Sequence, residues 1–302
     1  MIRRMAARRE IFVGADDNNL VADVFGERGR PVLLLHGGGQ TRHAWRRTAE
    51  AIARAGMTAF CVDQRGHGDS EWIASGAYDF RDFAADARAL AESIGERAGV
   101  RPVATGASLG GIAALTAEGE AAREGRPPVF SGLVLVDITP RVDYSGVAKV
   151  QAFMRAHAAE GFASVAEAAE VVAAYLPHRP RPRSHEGLRK NLRLHPDGRW
   201  RWHWDPRFLD GRRLIEADRE RYEEFMLAAA RALRLPVMLV RGGSSELVQE
   251  AHVKEFLAAV PHASYADVAG ARHMVAGDQN DQFSSAVLEF LNNLGPVDVK
   301  IG

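Results

Sequence analysis

The chain has 302 residues, 46% of them hydrophobic, and 39 Lys and Arg balance 39 Asp and Glu. With no net charge, nothing global draws it to nucleic acid or to an anionic membrane surface. Cys61 is the only cysteine, which excludes an internal disulfide and a cysteine cluster for zinc.

This length suits one large α/β domain, or a core carrying an insert. Residues 1–10 are arginine-rich with no apolar stretch after them, and no run reaches membrane-spanning length. A cytoplasmic protein with no membrane partner is therefore expected. Residues 10–13 and 20–25 read as strands joined by the turn cluster Asp16-Asp17-Asn18-Asn19, hence a hairpin. Pro31-Val32-Leu33-Leu34-Leu35 is a continuous apolar run, the pattern of a strand buried on both faces of a parallel sheet. It ends in His36-Gly37-Gly38-Gly39-Gln40. A helix over 44–55 and a strand over 57–62 follow, and then Asp63-Gln64-Arg65-Gly66-His67-Gly68-Asp69-Ser70. Phe80, Phe83, Ala84, Ala87, Leu90 and Ile94 recur at helical spacing and predict a helix over 79–94. A strand at 103–105 leads into Gly106-Ala107-Ser108-Leu109-Gly110-Gly111, and a helix runs on from Ile112. Residues 130–136 form another apolar strand, closing on Asp137.

The rhythm then breaks. Helices are predicted over 146–158, 164–175 and 212–233, and no buried strand is expected between 141 and 235. Residues 177–205 are rich in Pro, Arg, His and Trp. Afterwards come a strand over 236–240, a helix over 250–260, a strand over 263–268, the loop Gly270-Ala271-Arg272-His273 and a helix over 280–294. The chain thus divides into a core (1–140 and 235–302) and a mainly helical insert (141–234). Alternating strands and helices imply an α/β fold, a mostly parallel sheet with helices on both faces. Every flagged loop lies at a strand's carboxyl end, the edge where such sheets carry their sites.

Ser108 sits at a strand-to-helix junction with a glycine two residues to either side. That is the pattern of a nucleophile elbow, a strained turn that lifts the serine oxygen clear of the sheet. Only minimal side chains fit where strand and helix nearly touch, hence Gly106 and Gly110.

With these motifs in order, the chain resembles the α/β-hydrolase superfamily in its serine-nucleophile branch with a helical cap. Members include esterases, lactonases, meta-cleavage-product hydrolases and cofactor-free haloperoxidases. The resemblance covers residues 10–140 and 236–294. It implies Ser108 as nucleophile and His273 as the base that takes its proton. A carboxylate must hold His273 in the right tautomer. Glu246, in the loop after the strand at 236–240, is the favoured acid, although the family more often has Asp there. Asp137 is the alternative. Backbone N–H groups of Leu109 and Gly38 would form the oxyanion hole, with Gly39 in reserve and also near substrate. No metal or cofactor is implied.

The insert would then cover the site as a lid. Trp200, Trp202 and Trp204 alternate, so an extended segment points them to one face, where they either wall a pocket for an apolar acyl or ring group or glue the lid to the core. Arg179, Arg181, Arg183, Arg189, Arg193, Arg199 and Arg201 make the stretch basic. Pairing with local acids is favoured over recognition of an anionic substrate. The implied activity is hydrolysis of a small carboxylic ester or lactone through an acyl-serine. Carbon–carbon bond hydrolysis shares the same triad and lid and stays open, as does a non-catalytic ligand-binding role on this fold. A small molecule is the expected partner, nucleic acid is not, and a homodimer stays open.

Overall fold

Short strands, the inner ones largely apolar, alternate with amphipathic helices and build a single eight-stranded sheet. The computed structural model describes residues 5–295 except 180, 183, 212–218 and 279. Strand β1 (Arg8–Val13) turns back into β2 (Asn19–Phe25), the antiparallel hairpin that the polar turn predicts. Then come β3 (Pro31–Leu35), helix α1 (Arg46–Arg54), β4 (Thr58–Val62), α2 (Phe80–Ala98), β5 (Val103–Ala107), α3 (Leu109–Arg123) and β6 (Gly132–Val136). The insert contributes α4 (Tyr144–Arg155), α5 (Val165–Tyr175), β7 (Leu192–Leu194) and β8 (Trp200–Trp202). The chain then runs through α6 (Arg219–Ala232), β9 (Val237–Gly242), α7 (Glu250–Ala259), β10 (Ser264–Val268) and α8 (Asn280–Asn293).

The strand order is β1-β2-β4-β3-β5-β6-β9-β10, with β2 antiparallel to both neighbours and the strands from β4 to β10 parallel. Side chains alternate across the sheet. Leu33 and Leu35 pack in one cluster with Phe83, Leu90 and Leu115 of α2 and α3. Val32 and Leu34 pack in the other with Trp45, Ile52, Phe283 and Phe290, on the side of α1 and α8. Covering both faces is why the inner strands carry no polar alternation.

The chain leaves β3 toward β4 on one side and returns through α2 to β5 on the other. This reversal is a topological switch point, where loops diverge and open a crevice. Leu35 pairs with Gly106, so the loops after β3 and β5 emerge side by side.

One feature of the insert differs from the sequence-based expectation. Leu192–Leu194 and Trp200–Trp202 pair as an antiparallel hairpin, where no strand is foreseen. Three residues are too few to show a period, and Arg193 and Arg201 interrupt the apolar run. Leu192 opposite Trp202, and Phe162 bridged to Trp200, supply the packing that propensity lacks. Helix α6, which a boundary at 234 would put in the insert, packs on α3 of the core through Ala229 against Gly119. The predicted helix over 212–233 begins outside the described residues.

Candidate active site

Ser108 stands between β5 and α3 with φ 47° and ψ −112°, a conformation that L-residues rarely adopt. A Cβ on Gly106 would lie 2.4 Å from the Gly110 carbonyl, and one on Gly110 would lie 2.3 Å from the Leu35 carbonyl oxygen. The glycine spacing seen in the sequence is therefore a steric requirement of the turn. The Ser108 N–H donates to the Val136 carbonyl at 3.2 Å, tying the turn to β6. Helix α3 begins at Leu109, whose N–H, in the first turn, has no acceptor within the helix.

Ser108 and His273 line the same two cavities. His273 is brought there by close approach of its loop to the end of β9. A Cβ on Gly242 would fall 2.4 Å from the Arg272 carbonyl oxygen, and the Ser244 N–H donates to the Ala271 carbonyl at 2.8 Å. The carboxylate that meets the imidazole is Asp137: His273 Nδ1 lies 2.8 Å from its Oδ2. Facing a carboxylate, Nδ1 carries the proton and leaves Nε2 as acceptor. Asp137 is fully buried and, like Ser108, has a positive φ, of 49°. Two further donors hold it, the Gly242 N–H at 3.0 Å and the Ser245 hydroxyl at 2.6 Å. Ser245 Oγ accepts from the Leu247 and Val248 N–H groups, both at 3.1 Å, so its single proton is directed at Asp137.

Glu246, the acid favoured from the sequence, is not the carboxylate that His273 Nδ1 meets. Its Oε2 is buried without a hydrogen-bond partner among the described residues. Its charge acts instead on Tyr175 of α5, whose phenol pKa is raised first by burial and then by Glu246. Helix α4 sits directly on the Glu246 backbone, since a Cβ on Gly146 would meet the Glu246 carbonyl at 2.3 Å. The end of β9 and the loop after it thus provide two donors to a carboxylate that comes from the end of β6.

The three glycines after His36 are distinguished by their partners. The Gly37 N–H donates to Gln40 Oε1 at 3.1 Å, and the Gly39 N–H donates to His67 Nε2 at 3.1 Å. Among the described residues this leaves Gly38 as the one of the three whose N–H has no protein acceptor. The carbonyl of the same peptide, on Gly37, accepts from His36 Nδ1 at 2.8 Å and from the Gln40 N–H at 3.1 Å. His36 Nε2 accepts from the Gln64 N–H at 3.1 Å, which fixes the tautomer. Complete burial lowers the His36 pKa and keeps the ring neutral. The N–H of Gly39, the reserve donor, is thus engaged by His67.

Two cavities flank Ser108. The larger, about 330 Å³, is lined by the glycine loop, Phe153, Tyr175, Leu188, Trp202 and Met274. The smaller, about 90 Å³, is lined by Ile112, Ile138, Val142, Val147, Val150 and Leu247. Of the three tryptophans only Trp202 reaches a cavity wall. Trp204 is buried beside Gly39, and Trp200 lies under the Arg189 guanidinium, 5.5 Å from its ring centre. The basic stretch is mostly paired. Arg179 binds Asp278 at 2.6 Å, Arg181 binds Glu170 at 2.9 Å and Arg201 binds Asp197 at 2.7 Å. Arg199 donates to the Gly161 carbonyl at 2.9 Å, and Arg193 donates to the Gly68 carbonyl. Arg183 lies outside the described residues.

Comparisons with known proteins identify the family. Residues 27–280 match the family model described as serine aminopeptidase, S33. An esterase of Mycobacterium tuberculosis, Rv0045c, is 31% identical over 231 residues, 74% of this chain and 70% of that protein. Its crystal structure superposes with a TM-score of 0.71 at 26% identity, covering 96% of this chain and 94% of that one. The mouse sn-1-specific diacylglycerol lipase ABHD11 is 27% identical over 86% of this chain and 80% of its own. E-2-(Acetamidomethylene)succinate hydrolase shares the fold, with a TM-score of 0.78 at 22% identity over 95% of this chain and 98% of its own. The chain belongs to this family of the α/β-hydrolase superfamily, and it is a hydrolase. No helix among the described residues is long and apolar enough to cross a membrane.

Proposed function

We propose that the protein hydrolyses a carboxylic ester through an acyl intermediate on Ser108. The observation that carries this reading is the 2.8 Å contact of His273 Nδ1 with buried Asp137, on an imidazole that shares its cavities with the strained Ser108. In this reading His273 Nε2 removes the Ser108 proton as the oxygen attacks the ester carbonyl carbon. The oxyanion forms against the N–H groups of Leu109 and Gly38. Collapse of the tetrahedral intermediate expels the alcohol, which takes the proton from His273. Water, deprotonated by the same nitrogen, then attacks the acyl-serine, and collapse returns the proton to Ser108 and releases the acid. Asp137 stays ionised and stabilises the imidazolium in both half-reactions.

The two cavities favour a substrate with one short apolar arm and one larger arm. The larger arm would meet Phe153, Tyr175 and Trp202, so a ring or an extended acyl chain fits its wall. The names of the esterase and lipase relatives support an ester bond. The test is a panel of activated esters, lactones and dienoates on wild type beside Ser108→Ala, with fluorophosphonate labelling of both. Burst kinetics on an activated ester and labelling lost only in the variant are expected. Wild-type turnover by Ser108→Ala would refute the mechanism, and a folded wild type that the probe ignores would turn the reading toward ligand binding.

A further inference from the structure

A run of three glycines has little intrinsic stiffness, so the direction of the Gly38 N–H depends on what holds the peptides around it. Three side-chain restraints come from the core: Gln40 on the Gly37 N–H, His36 on the Gly37 carbonyl and His67 on the Gly39 N–H. The fourth comes from the insert. His203 Nε2 lies 3.2 Å from the Gly39 carbonyl oxygen, and its Nδ1 accepts from the Gly68 N–H at 2.6 Å. That second bond requires Nδ1 to be unprotonated, so Nε2 carries the proton and donates it to Gly39. The Gly39 residue is thus gripped at both ends by imidazoles from different parts of the chain, and the two rings lie 5.9 Å apart. The insert also closes the outer side. Met154 Cε and Trp204 Nε1 stand 2.9 Å and 3.6 Å from where a Cβ on Gly39 would be. His203 is 1% exposed, so in the seated position no bulk water competes for the bond.

We propose that His203 is a positioning residue through which the seated insert sets the oxyanion-binding peptide. Lifting the insert withdraws His203, frees the Gly39 carbonyl and lets the adjacent Gly38 N–H swing off its aim, so that the hydrolytic site is complete only under a closed lid. The proposal rests on the assignment of Ser108 and Gly38 above.

The experiment compares His203→Asn and His203→Gln on an activated ester and on its thiono analogue, in which sulfur replaces the carbonyl oxygen. Asn keeps an acceptor for the Gly68 N–H but is too short to reach Gly39, whereas the Gln amide extends to where Nε2 lay. Sulfur is a weak acceptor, so the thionoester gains little from the oxyanion donors. A drop of about 10-fold in kcat on the oxoester is expected for His203→Asn, less than outright loss of a donor would cost. KM and the thionoester rate should barely move, and Gln should restore most of the loss. Rates are taken where circular dichroism shows both variants folded, and His203→Ser serves as a second shortened variant. Equal losses on both substrates, or a raised KM with kcat intact, would make His203 an anchor of the insert and overturn the proposal. Fluorophosphonate labelling of wild type and an inert Ser108→Ala, run alongside, test the underlying assignment separately, so an equal loss counts against His203 alone.

Discussion

The two halves of the candidate site are held by opposite electrostatic means. On one side a buried carboxylate, Asp137, gathers donors from the Gly242 N–H, the Ser245 hydroxyl and His273. On the other side the groups that hold the loop carry no charge. Neutral imidazoles and an amide, His36, His67, His203 and Gln40, each engage a backbone group of the glycine loop. A charge costs too much to bury unless several donors meet it, so the first half is assembled wholly from strand ends of the core, where positions are least variable. Dipoles are cheaper to hold and to release. The second half can therefore take one of its members from the insert and depend on how that insert sits.

The largest effect should come from the residue the two halves share. Ser108→Ala is expected to lower kcat/KM by roughly 10⁵-fold, as removal of a triad nucleophile does, with no loss of thermal stability, since Ala keeps the same Cβ at the strained φ. Next comes the acid. Asp137→Asn should lower kcat by about 10⁴-fold by allowing the wrong His273 tautomer, while Glu246→Gln should stay within about 3-fold in the same assay. A collapse of activity in Glu246→Gln would move the acid back to the loop after β9 and erase the contrast drawn above. Ser245→Ala removes one donor from the buried carboxylate and should cost about 1–3 kcal/mol in urea denaturation.

The smallest effect reads the neutral half directly. Burial pushes the His203 pKa from its ordinary 6.5 down to about 3, chiefly by desolvation. Between those values the unfolded chain binds the proton and the folded protein does not, so this contribution to stability is complete above about 6.5 and is lost as the pH falls toward about 3. The melting temperature of His203→Gln should therefore vary less steeply with pH across that window than that of wild type. An unchanged slope would mean that His203 does not have to stay neutral.

What could be read in the chain was whatever is local. Ser108 announces itself because the elbow needs glycine two residues away on either side, and a five-residue apolar run such as Pro31–Leu35 is already a buried strand. His273 follows from its place after the last strand. The short β7–β8 hairpin escapes detection because its stability lies in cross-strand partners, Leu192 with Trp202 and Leu194 with Trp200, rather than in any pattern along the strands. His203 reads only as one more histidine of the insert, since Gly39 and Gly68 are more than 130 residues away in the chain.

The choice between two carboxylates shows where that boundary lies. Sequence alone placed two candidate carboxylates, Asp137 and Glu246, at the carboxyl edge of the sheet. Only the tertiary structure shows which of them meets His273. Val136 pairs with Val240, which sets Asp137 beside Gly242 and Ser245, and the close approach of Arg272 to Gly242 brings His273 down onto it. Reach, burial and donor count are properties of that three-strand neighbourhood, and spacing along a single strand does not contain them.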